Sequence, residues 1–137
     1  MVGTTIPGYT VRSATAGDLA ACNRVCTRVH GHDRSGELYE AITQGTATVV
    51  EHDGRITGYA TAVGRFAHAV GESNAELKAL IGAAPAYLGP GFLLPTRNTE
   101  LFRWCLERGL RVVQGMPLMR IGLYNDPAGA YLPPVLY

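Results

Sequence analysis

Four groups of residues in this chain carry side chains suited to proton, thiol or metal chemistry. His30-Gly31-His32-Asp33 gathers two imidazoles and a carboxylate, the donor set of a transition metal. Rings two positions apart on a turn can point apart, however, and no third His or Cys is nearby. A helix-end loop, with His near the dipole and Asp as a cap, explains the same residues, so no metal site is expected. His68 and Glu72 flank Val70 and Gly71, and a His or Glu with a near-neutral pKa can take a proton from a reacting group. The plainer reading makes His68 a solvated strand residue and Glu72 a first-turn acid stabilised by a helix dipole. Cys105 carries a thiol that ordinarily titrates near pH ~8.5 and donates hydrogen bonds weakly, so burial in the core is its default. Arg34 and Arg97 are available to an anionic substrate, although single surface arginines usually do nothing specific.

The elements that position these residues follow from pattern. Tyr9 to Ser13 alternates like a half-buried strand. Thr15, followed three residues later by Asp18, opens a helix whose apolar positions Leu19, Cys22, Val25, Cys26 and Val29 recur at helical spacing and which ends near Gly31. A second, short helix is predicted from Ser35 to Thr43, stopped by Gly45. Thr46 to Glu51 and Arg55 to Val63 read as antiparallel strands around the hairpin signal Asp53-Gly54. A brief strand over His68 to Val70 precedes a helix capped by Ser73 and carrying Leu77, Leu80 and Ile81. Gly91 to Pro95 reads as a short buried strand. Asn98 caps a further helix, with Leu101, Phe102, Cys105 and Leu106, that Gly109 ends. Strands are predicted at Val112 to Met119, interrupted by Pro117, and at Ile121 to Tyr124. The tail from Asn125 is too apolar for a free linker and too rich in proline for a helix, so it packs on its own domain or on another chain.

At 137 residues the chain fits one domain with a sizeable core, and 47% apolar against 17% charged residues is the balance of a globular protein. Twelve basic residues against eleven acidic ones exert no bulk pull on nucleic acid or an anionic membrane. Three cysteines without paired spacing read as buried free thiols, and with no signal peptide or membrane-length apolar run the expected location is cytoplasmic.

The order β, α, α, β, β, β, α, β, α, β resembles the GNAT (acetyltransferase-like) superfamily, and Asn98, Leu101, Cys105, Gly109 and Leu110 match its penultimate helix. His32-Asp33-Arg34, the Asp53-Gly54 hairpin leading into Gly58-Tyr59, Leu94-Pro95-Thr96-Arg97-Asn98, and Leu118-Met119 followed by Gly122 and Tyr124 look like the carboxy-terminal half of tandem GNAT proteins. The resemblance implies an α/β (α+β) fold: a mixed, twisted sheet of six to seven strands, splayed between His68 to Val70 and Gly91 to Pro95, with helices on both faces. It also implies N-acyl transfer from acetyl coenzyme A to a small amine. His68 or Glu72 would then act as base, Cys105 would stand where relatives place a proton-donating Tyr, and Val70, Gly71, Ser73, Asn74 and Asn98 would meet the cofactor. The loop Val70-Gly71-Glu72-Ser73-Asn74-Ala75 keeps one glycine, lacks a preceding basic residue and adds the charge of Glu72, so weak pyrophosphate binding is expected. The alternatives are a noncatalytic GNAT-like domain that binds a ligand or partner, or the same fold reused for other chemistry. Either a companion domain or a homodimer closed over the apolar tail from Ala130 to Tyr137 is expected.

Overall fold

The computed structural model of the chain describes residues 4–31, 34–64, 66–87, 89, 91–112 and 129–133. Strand β1 (Thr10–Ser13) leads through a 3-10 turn (Ala16–Asp18) into α1 (Leu19–His30), followed by α2 (Ser35–Gln44), β2 (Thr48–His52), β3 (Arg55–Ala60), β4 (Ala69–Gly71), α3 (Asn74–Ala83), α4 (Thr99–Glu107) and β5 (Ala130–Leu132). The five strands form one sheet in the order β1-β2-β3-β4-β5, and every neighbouring pair is antiparallel.

The local signals act as their chemistry requires. Thr15 and Asp18 form a reciprocal capping box ahead of α1, and Gly31 and Gly45 end α1 and α2 in the left-handed conformation that glycine adopts without strain. Asp53 and Gly54 both have positive φ, the geometry of the tight turn that matches strand twist. Arg12 of β1 grips both carboxylate oxygens of Asp18 at 2.8 and 2.9 Å and reaches Glu51 of β2 at 2.6 Å. These bonds hold Asp18 well below the usual carboxylate range.

Side chains alternate between the faces of the sheet, so its two layers separate cleanly. Val50, Ala60, Ala69 and Leu132 turn toward α3 and α4, where they meet Leu77, Leu80, Ile81, Leu101 and Trp104. Val49, Tyr59 and Val70 turn toward α1 and α2 and meet Cys22, Val25, Cys26, Val29 and Leu38. Complete burial of Leu77 or Leu101 contributes roughly 1.5–3 kcal/mol each.

The sheet departs from the mixed, splayed arrangement predicted. Gly91 to Pro95 belongs to no strand, and the place beside β4 is taken by Ala130–Leu132, which runs antiparallel to it. Two glycines and two prolines over residues 89–95 suit turns better than a ladder. Five strands stand among the described residues where six to seven were expected. The strand predicted over residues 112–119 and the one over 121–124 fall, apart from Val112, outside those residues, and Val112 itself is in no strand. The tail does return to its own sheet at β5, where Leu132 is buried. No described helix is long and apolar enough to cross a membrane.

Candidate functional site

Strand β4 and the turn into α3 gather most of the predicted site residues. Because side chains alternate, His68, Val70 and Glu72 share the α1 side of the sheet, with Gly71 between them on the other. His68 is 1% exposed rather than solvated, and its Nε2 lies 2.9 Å from Nε2 of His30, the last residue of α1. The Tyr59 ring stands edge-on to His68, and Tyr131 of β5 edge-on to His30. His30 is half-buried, so the pair joins the interior to a helix end near solvent. The sequence pointed to His30 as a metal ligand or as a helix-end residue near the dipole. Its partnership with His68, 38 positions away, required the packing of α1 across β4.

Glu72 is no first-turn acid, since α3 begins at Asn74. Its carboxylate receives two bonds from Arg55 of β3, at 2.8 and 3.2 Å, and one from Arg28 of α1 at 3.0 Å. Hydrogen bonding from Arg55 holds Glu72 below the usual carboxylate range, which makes it a poor base near neutral pH. Its amide donates to the Thr57 carbonyl at 3.0 Å, and the buried Thr57 hydroxyl finds no hydrogen-bond partner among the described residues.

Cys105 lies on the opposite side of the sheet, in the apolar cluster with Leu101 and Trp104. Burial pushes its thiol up to about 11, and the other two cysteines are likewise free and buried. The sheet therefore separates Cys105 from His68 and Glu72, and the three predicted catalytic residues do not converge. Trp104 also borders an open groove of about 370 Å³ between α3 and α4, lined by Lys78, Thr99, Glu100, Arg103 and Glu107, in which Lys78 pairs with Glu100 at 2.8 Å.

The predicted phosphate cradle is filled from within. Ser73 caps α3 and Glu76 folds back to accept from the Ser73 amide at 2.9 Å and from the Ser73 hydroxyl; the Ala75 amide turns to Ser73 Oγ at 3.3 Å. Glu76 is 3% exposed and sits in a dent made by Gly58 and Gly71, which face each other across β3 and β4. A Cβ on Gly71 would come within 2.5 Å of Glu76 Cβ, and one on Gly58 within 3.1 Å. Gly71 thus makes room for the aliphatic stem of the chain's own Glu76. Val70 and Gly71 also lie in a strand paired on both sides, which commits their backbone to β3 and β5. Asn74 and Asn98 do come together, each donating its amide to the other's oxygen at 2.9 and 2.7 Å, while Asn98 Oδ1 caps α4 through Leu101 N. Both amides are committed to each other, so the residues at this place do not fit the pyrophosphate of coenzyme A.

Of the His30 to Asp33 group, His32 and Asp33 lie outside the described residues, among which no three metal-ligating side chains cluster. Arg34 bonds Glu37 at 2.7 Å, and Arg97 is exposed in the turn before α4.

No protein-family model matches the chain, and no curated protein does. Two solved structures are similar to parts of it. One is an acetyltransferase of the GNAT family from Bacillus cereus ATCC 10987, 25% identical with a TM-score of 0.38, covering 40% of this chain and 39% of that one. The other, from Pyrococcus horikoshii and described as an acetyltransferase, is 18% identical with a TM-score of 0.36, over 78% of this chain and 36% of its own. The chain therefore matches less than two fifths of either protein's length.

Proposed function

We propose that this chain is a GNAT-like domain of the acyltransferase type that serves a tandem or dimeric assembly as its ligand-binding or interaction half, without itself moving an acyl group. One observation carries the reading. At the start of α3 the Ser73 amide is engaged by the buried Glu76 and the Ala75 amide by Ser73 Oγ, and a facing pair of glycines makes room for the Glu76 side chain. Calorimetric titration with acetyl coenzyme A tests it. No saturable heat and no thermal shift are expected, and saturable binding would overturn it.

The contact between His30 and His68 favours a second reading, an N-acetyltransferase acting on a small amine with acetyl coenzyme A as donor. A proton taken up at His30 could pass across the paired Nε2 atoms to His68, a relay suited to a base that is itself buried. Acetyl transfer to a panel of small amines that disappears in His68→Gln, with the fold intact by circular dichroism, would establish this reading over the first.

A further inference from the structure

We propose that Arg28 and Arg55, with Arg24 one turn back along α1, form a docking point for an oxyanion, the carboxylate or phosphate group of a small ligand. The inference stands whether or not an acyl group is moved.

Helix α1 carries Arg24 and Arg28 four residues apart and no acidic residue. Like charges at that spacing oppose each other on a helix surface. Among the described residues Arg24 makes no ion pair, while Arg28 and Arg55 converge from two elements on the single carboxylate of Glu72. Their side chains are 68% and 59% exposed and that of Glu72 only 22%, so the cations face solvent with the anion tucked beneath them. Of five N–H groups on each guanidinium, Arg28 spends one on Glu72 and Arg55 two. The unspent donors keep the fork that matches two oxygens of a carboxylate or phosphate. Three arginines against Glu72 leave two positive charges in excess. Glu76 and Asp53 also act on Arg55, but Glu76 is taken up by the α3 cap and Asp53 sits out on the β2–β3 turn. The Thr57 carbonyl accepts from the Glu72 amide at 3.0 Å, which fixes the backbone that carries the Glu72 carboxylate under the two cations.

The test titrates the whole chain with inorganic phosphate and, separately, with succinate, following the arginine Nε–Hε resonances. Saturable shifts at Arg28 and Arg55 are expected with at least one anion, and which one acts identifies the group recognised. Arg28→Gln and Arg24→Gln, both at exposed positions and checked for folding by circular dichroism, should each weaken binding about tenfold, near the value of one charge-assisted contact. Glu72→Gln should tighten it several-fold by removing the competing carboxylate. Absence of shifts with both anions at millimolar concentration, in the natural chain and in Glu72→Gln alike, overturns the proposal. So do shifts that persist unchanged in Arg28→Gln.

Discussion

Against α3 and α4 the sheet presents Val50, Ala60, Ala69 and Leu132, and the helices answer with Leu77, Leu80, Ile81, Leu101 and Trp104; against α1 and α2 it presents Tyr59, Val70 and His68, met by Cys22, Cys26 and His30. On the first side the main buried polar group is Glu76, spent on a helix cap. On the second, Tyr59 pairs with Cys26, His68 with His30, and Glu72 with two arginines. Burial, and then Cys26, hold the Tyr59 hydroxyl well above its ordinary range, and burial pushes Cys22 up to about 12, so these groups stay neutral at physiological pH. The difference teaches that one face is built for packing, and that the polar contacts suited to recognition collect on the other.

The largest effects that could break this comparison are in the cores. Leu77→Ala removes a fully buried side chain and should cost about 3–4 kcal/mol, whereas Cys26→Ala on the other face should cost about 1–2 kcal/mol. Urea unfolding of the two variants measures both, and equal losses would erase the distinction. Next comes Gly71→Ala, which should cost about 2–3 kcal/mol by driving a methyl group into Glu76. Adding Glu76→Gly should return part of that loss, because the Cβ that the new methyl group meets is then gone; strict additivity in the double-mutant cycle would show that the dent does not hold Glu76. Ser73→Ala removes the α3 cap at about 1 kcal/mol.

The smallest effect is on the acid limb. Glu72 has a folded-state pKa below its ordinary 4.5, so its contribution is fully present above that pH and is lost as the pH falls through the folded value. Asp18, lowered chiefly by Arg12, fades in the same direction from 3.8 downward. Urea midpoints followed from pH 6 to pH 3 should therefore drop, and less steeply in Glu72→Gln. An unchanged slope in that variant would mean the two arginines do little for Glu72.

Much of the fold was legible where the signal is local. The Thr15 and Ser73 caps, the Asp53-Gly54 turn, the stop at Gly45 and the Asn98 cap each depend on chemistry within a few residues, and each stands where predicted. Pairing across the chain was not legible. Nothing around Gly91 to Pro95 announces that β5 comes instead from Ala130–Leu132, because strand order is decided by burial of residues such as Leu132 far along the sequence. The site divides the same way. Asn74 and Asn98 were both singled out, yet their mutual bond, the contact of His30 with His68, and the grip of Arg28 and Arg55 on Glu72 arise only when α1 and α4 pack. Gly71 was read as a loop glycine for phosphate, since a glycine that admits a ligand and one that admits a neighbouring side chain look alike in sequence.

The self-filled start of α3 is most directly tested by nitrogen–proton NMR of the labelled chain during titration with acetyl coenzyme A. The amide resonances of Ser73, Asn74 and Ala75 should stay in place through millimolar ligand, with Ser73 protected from hydrogen exchange by its bond to Glu76. Saturable shifts at those three amides, together with loss of the Ser73 protection, would show that a phosphate group displaces Glu76 and would contradict the account.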